Sequence, residues 1–240
     1  MAVMTSDAMV KFRNQYRASI AASYNGWLHM LSVLCVGIAV MTYALSQLHS
    51  ASLMEWLMFP VVMLLVNFAE YYAHRWLGHR KTRHGKLFYS RHTGDHHSFF
   101  LDKAMAYETV RDWRVVLFPL YLIVAFVLAL ILPLGYVLSE LVSMNVACIY
   151  AAAAMGGYLF YEVMHFSYHL PRGHWAEKGF SVIPGWQALR HLHVLHHKRD
   201  KMAETNFNIT LPIFDWLLGT LFWQSISDFE KEQAVVEPSR

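Results

Sequence analysis

The apolar positions of this chain fall in long blocks, without the alternating or helical rhythm of a water-soluble fold. Four blocks stand out: residues 27–48 (WLHMLSVLCVGIAVMTYALSQL), about 53–73, about 114–135 and about 138–164. The third includes VLFPLYLIVAFVLALILPLG, residues 116–135, which contains no charge. About 20 such residues cross the hydrocarbon core of a bilayer, so each block predicts a membrane-spanning helix. The joint within the first pair, SQLHSAS, is short. So is PLGYVLSE in the second pair, where Pro133 and Gly135 are turn residues. The expected architecture is all-α: an integral membrane protein with four transmembrane helices in two hairpins (27–73 and 114–164). A polar segment follows each hairpin, at 74–113 and 165–240, and residues 1–26 lead in. Together these form a single membrane domain, 1–240, with no internal repeat beyond that layout.

Composition supports the same class. The chain is 56% hydrophobic and 15% charged, against about 25% charged for an average soluble domain. A net charge of +3 is too small to imply a nucleic-acid partner. Cys35 and Cys148 lie in apolar blocks and offer no disulfide framework. Residues 1–26 are polar and mixed in charge, which excludes a cleavable signal peptide there. They predict either an amphipathic helix on the membrane surface or a flexible basic lead.

Charge sets the orientation. The two joints contain no Lys or Arg. The N-terminal segment has Lys11, Arg13 and Arg17, the central segment has eight cations from Arg75 to Arg111, and the tail has eight more. The N-terminus, the central segment and the C-terminal tail are therefore expected on the cytoplasmic side, forming a histidine-rich helical cap.

Thirteen of the 15 histidines lie in those polar segments or at their edges. Ten form four ordered clusters: HRWLGH (His74, His79), HTGDHH (His92, His96, His97), HFSYH (His165, His169) and HVLHH (His193, His196, His197). Residues four apart share a helix face. This pairs His92 with His96 and His165 with His169, and puts His193, His196 and His197 on one face. His74 and His79 are five apart and reach one metal only if the helix distorts between them, which Gly78 permits. A single histidine is more often structural than ligating. Four matched clusters on one side predict a metal centre for two ions, and imidazole suits iron, zinc, copper and nickel. His29, His49, His84, His174 and His191 are set aside, though His84 and His174 are placed to line an entrance. Glu70 and Glu162 precede His74 and His165 by about one turn, and Asp95 lies inside HTGDHH. All three are candidates to orient ligand rings, as is Asn206 in the tail.

These four clusters, in this order, resemble the histidine boxes of the fatty acid hydroxylase superfamily of membrane di-iron enzymes. The resemblance covers about residues 65–222. It includes the closing ETNFNITLPIFDWLLGTLFW, and EYYAHRWLGH looks most like the fatty acid 2-hydroxylase branch. The three residues inside HTGDHH and the long stretch between His169 and His193 depart from that branch. The resemblance implies two Fe ions held by the ten clustered histidines, with zinc possible in a purified sample, and O2 as cosubstrate. It also implies hydroxylation of a membrane lipid or fatty acyl chain, with electrons from an external donor of ferredoxin or cytochrome b5 type. Lipid or sterol desaturation and carotenoid hydroxylation are alternatives within the superfamily. A membrane metal transporter or metal-binding protein is the alternative outside it.

Overall fold

A computed structural model of the chain describes residues 6–236, with side chains described for 7–232. Among these residues the structure is helical throughout, and its only extended pairing is an isolated bridge between Leu101 and Ala104. The chain divides into two compact units. One comprises Ala21–Ala69 and Thr109–Phe166. The other comprises the N-terminal stretch to Ile20, Glu70–Glu108 and the chain from Ser167 onward.

Among the described residues, four helices are long and apolar enough to cross a membrane: Gly26–Ser46, Leu53–Gly78, Val110–Leu141 and Met144–Tyr168. The first starts where Asn25 accepts a hydrogen bond from Leu28 N, and the second where Ser52 and Glu55 form a reciprocal capping box. Such caps satisfy amide groups that have no partner in the first turn. The apolar core of the first unit joins Val33, Val62, Ile123, Ile131, Tyr150, Ala153, Ala154, Met155 and Leu159. Small residues set the helix approach there, as they do where lipid supplies no hydrophobic drive. A Cβ on Gly37 would lie 2.6 Å from Leu159, and one on Gly157 would lie 2.7 Å from Val66. Leu31, Leu64, Leu65, Leu128 and Leu130 are exposed, as lipid-facing positions would be.

Two details differ from the pattern read off the sequence. Pro133 and Gly135 do not make the turn between the last two spans; the helix runs on to Leu141. A proline inside a helix removes one donor and crowds the carbonyl before it. Here a π-helical turn, Val127–Ile131, immediately precedes Leu132 and Pro133, and the Tyr150 hydroxyl donates to Leu130 O at 3.1 Å. The third span is also broken near its start, at 117–119. The broken backbone is satisfied by side chains: Glu162 accepts from Phe118 N at 3.1 Å, and His29 Nε2 donates to Phe118 O at 2.9 Å. At the opposite joints, Asn145 bonds both the N–H and the C=O of His49, while Glu55 accepts from Ser143 Oγ at 2.6 Å.

The second unit contains the N-terminal helix Ser6–Ser19, a helical run over 86–99, the helices Trp175–Ser181 and Trp186–His196, and the closing segment with Ile213–Leu217 and Ile226–Val236. Tyr71, Phe99, Phe100, Tyr168, Trp186 and Phe207 are buried in its core, and side-chain hydrogen bonds tie the core to the backbone. Trp186 Nε1 donates to Ser167 Oγ at 2.8 Å, Tyr168 Oη to Ile209 O at 2.9 Å, and Arg190 to both Leu170 O and Glu177.

Candidate metal centre

Two short π-helices explain how the first histidine clusters work. Ala73–Gly78 and Ser90–His96 both have π-helical hydrogen bonding. Its i→i+5 bonds bring residues five apart onto one face. His74 is therefore aligned with His79, and His92 with His97. The ring centroids are 5.1 Å apart in the first pair and 4.6 Å in the second. The distortion expected between His74 and His79 is thus a whole π turn. Gly78 serves it by giving space: a Cβ there would lie 2.9 Å from His92 Cδ2.

His74, His79, His92, His97 and His196 form one nest, with ligand atoms all within 4.8 Å of one another. Four Nε2 atoms close a ring: His79 to His92 at 3.1 Å, His92 to His97 at 3.0 Å, His97 to His196 at 3.2 Å and His196 to His79 at 3.1 Å. The centre of such a ring, between tetrahedral and square, is about 1.9–2.2 Å from each nitrogen, which matches metal–imidazole bond lengths near 2.0–2.1 Å. His74 adds a fifth ring. Its Nδ1 bonds Phe207 O, and its buried Nε2 has no hydrogen-bond partner. A buried lone pair without a donor is costly, and a cation in the nest would satisfy it.

A second nest adjoins the first. His96 and His197 approach at 3.2 Å between Nε2 atoms, His197 and His193 at 3.2 Å, and His193 and His169 at 3.0 Å. His165 lies on the fourth span, buried, one turn before His169 on the same helix face.

The two His-His doublets are divided between the nests. His97 and His196 enter the first, while His96 and His197 enter the second. Adjacent residues on a helix point about 100° apart, so one doublet supplies both sites. His92 is thereby partnered with His97 instead of His96. His193 shares its nest with His197, and His196 turns away from both.

Carbonyl oxygens set the tautomers. A carbonyl only accepts, so a ring nitrogen facing one carries the hydrogen and leaves the other nitrogen as a lone pair. Nδ1 of His196 faces Thr205 O, that of His197 faces Phe100 O and that of His169 faces Met105 O, each at 2.8 Å. Thr93 Oγ1 donates to Gly78 O at 2.6 Å and so accepts from His79 Nδ1 at 3.3 Å. Burial first, and then the neighbouring imidazoles, hold His79, His92, His97, His169, His196 and His197 well below the usual histidine pKa. Burial thus favours the uncharged ring, and Nε2 atoms gathered face to face are the donor set a divalent metal requires. The residues fit two metal ions.

The outer residues act on backbone more than on rings. Glu70 accepts from Ile209 N, from Thr210 N at 3.0 Å and from Thr210 Oγ1 at 2.6 Å, and so anchors the loop whose Phe207 carbonyl faces His74. Asp95 pairs with Arg91 at 3.0 Å. Asn206 sits at φ 56 and bonds Leu192 O and both polar groups of the Phe222 backbone. Asp215 was not anticipated. It is fully buried and accepts from Phe207 N, Asn208 N and Thr220 Oγ1. Its signal was present as the one acid in the apolar run LPIFDWLLGT. His191 stands outside both nests, donating to Gln224 O at 2.7 Å against the rings of Trp223 and Phe229. His174 caps the helix Trp175–Ser181, and His84 is exposed.

The sequence model of the fatty acid hydroxylase family matches residues 59–220. A solved structure described as full-length Scs7p, with only the hydroxylase domain visible, is similar at a TM-score of 0.56 and 22% identity. The match covers 83% of this chain and 67% of that one. At that identity the likeness bears on the fold alone. No curated protein matches the chain.

Proposed function

We propose that this chain, which belongs to the fatty acid hydroxylase family and is a multi-pass membrane protein, is an O2-dependent di-iron hydroxylase of a membrane lipid or fatty acyl chain. One observation carries the reading: two adjoining nests of buried imidazoles whose Nε2 atoms converge. His74, His79, His92, His97 and His196 hold one iron. His96, His165, His169, His193 and His197 hold the other. Iron is preferred to zinc because hydroxylation needs a metal that changes oxidation state, and zinc does not.

When bound, the iron pair supplies O2 activation and cleavage of the substrate C–H bond. One oxygen atom enters the lipid, the other leaves as water, and two electrons with two protons balance the reaction. In this reading an external donor of ferredoxin or cytochrome b5 type supplies the electrons. The residues themselves fix the geometry. Phe207, Thr205, Phe100 and Met105 carbonyls hold the ring hydrogens of His74, His196, His197 and His169 outward, so these four imidazoles meet their metals without reorienting. The excess of Lys and Arg in the N-terminal, central and C-terminal segments supports a cytoplasmic centre, with both termini on that side. The acyl chain then reaches it from the bilayer.

The test is purification in detergent, metal analysis, and incubation with iron, O2, a reductant and a panel of lipids. Two irons per chain and a product heavier by one oxygen atom are expected. A product lighter by two hydrogens would move the activity to desaturation. Metal flux through vesicles without lipid oxidation would overturn the reading.

A further inference from the structure

The N-terminal helix Ser6–Ser19 has no part in the metal chemistry as described so far. Its Arg13 is nevertheless buried, which is costly for a cation unless its donors are satisfied. All three kinds of guanidinium nitrogen have partners on one segment. Nε donates to Phe99 O at 2.8 Å, one terminal nitrogen to Ala104 O at 2.7 Å, and the other to Glu108 Oε1 at 2.8 Å. The guanidinium also lies over the Phe99 ring, 4.9 Å from its centroid.

The two gripped carbonyls have a specific position. Phe99 O is next to Phe100 O, which accepts from His197 Nδ1, and Ala104 O is next to Met105 O, which accepts from His169 Nδ1. Between them the chain closes a tight turn, with Ala104 N donating to Leu101 O at 2.7 Å. Phe100 packs on His169 at 4.2 Å between centroids, and Tyr107 N donates to His169 O at 3.1 Å. The carbonyls that face His169 and His197 in the second nest thus both belong to the segment that Arg13 clamps. The carbonyls orienting His74 and His196, in the first nest, belong to residues 205–207 on another segment.

We propose that Arg13 is a positioning residue for the second metal alone: through the 99–108 segment it sets the orientation of His169 and His197. This rests on the two-metal reading above. The planar fork is what the site uses, because it reaches three acceptors in fixed directions where an ammonium is a point donor. Arg17 is the natural comparison. It touches the same segment through Glu108 at 2.9 Å and the Phe99 ring, but its side chain is 24% exposed against 8% for Arg13.

The experiment counts metal ions per full-length chain after dialysis against a chelator, with circular dichroism confirming helix content. Wild type and Arg17→Ala should retain two, and Arg13→Ala one. Combining Arg13→Ala with His197→Ala, in the same nest, should still retain one. Combining it with His79→Ala, in the other nest, should retain none. Arg13→Lys, which keeps the charge, should release one metal to chelator faster than wild type, by about tenfold. It serves as the test if Arg13→Ala fails to fold. Two metals retained in Arg13→Ala, or equal loss from both nests, would overturn the proposal. Fewer than two metals in wild type would instead overturn the two-metal reading on which it rests.

Discussion

Gly78→Ala is a small change with a large local consequence. The added Cβ would sit 2.9 Å from His92 Cδ2, whereas ordinary contact begins at 3.4 Å, so the ring must retreat by about 0.5 Å. It has little freedom to do so: His92 Nε2 is already 3.1 Å from His79 and 3.0 Å from His97. Disturbance of this kind around a ligand costs about 10–100-fold in metal affinity, or about 1.4–2.8 kcal/mol. Folding changes less. Alanine gains about 0.8–1.0 kcal/mol over glycine in a helix, which offsets part of the roughly 1–3 kcal/mol of overpacking. Gly94→Ala is the matched control, since it also lies in a π-helix and its Cβ would meet nothing closer than 3.9 Å. Chelator competition should show one weakened metal in Gly78→Ala and two unchanged metals in Gly94→Ala. Identical metal binding in the two variants would refute the packing argument.

Other outcomes follow from the same geometry. His96→Ala and His97→Ala, though adjacent, should lose metal from different nests, so the double variant should bind none where each single variant binds one. Asp215→Asn exchanges an acceptor for a donor facing Phe207 N, Asn208 N or Thr220 Oγ1; chemical denaturation should show a loss of about 1–3 kcal/mol. His196→Ala should abolish lipid oxidation, while His191→Ala should keep most of it in the same assay. The neutral imidazoles carry pKa values depressed below about 6.5 in the fold. The unfolded chain therefore binds more protons as pH falls. Thermal unfolding of metal-free protein should show stability present above pH 6.5 and declining below it; a flat profile from pH 7.5 to 5.5 would contradict the buried neutral state.

The spans and the four histidine clusters were legible because both are local: uninterrupted apolar length, and histidines at helical spacing. The division of histidines between the nests was not legible. α-Helical periodicity pairs His92 with His96, but the π turn over Ser90–His96 pairs it with His97, and nothing in SRHTGDH announces that turn. Pro133 misled for a related reason, since a π turn absorbs it within the third span. The oxygens that set ring orientation belong mostly to backbone, at Phe100, Met105, Thr205 and Phe207. A carbonyl has no residue type, so only the fold reveals it. Arg13 likewise read as one of three cations that set topology; its buried position on the 99–108 segment required the tertiary structure.

Anomalous diffraction at the iron edge, from crystals of protein loaded with iron, tests the central claim most directly. Two peaks are expected in each chain: one among His74, His79, His92, His97 and His196, and one among His96, His165, His169, His193 and His197. A single peak, or peaks away from these rings, would contradict the account.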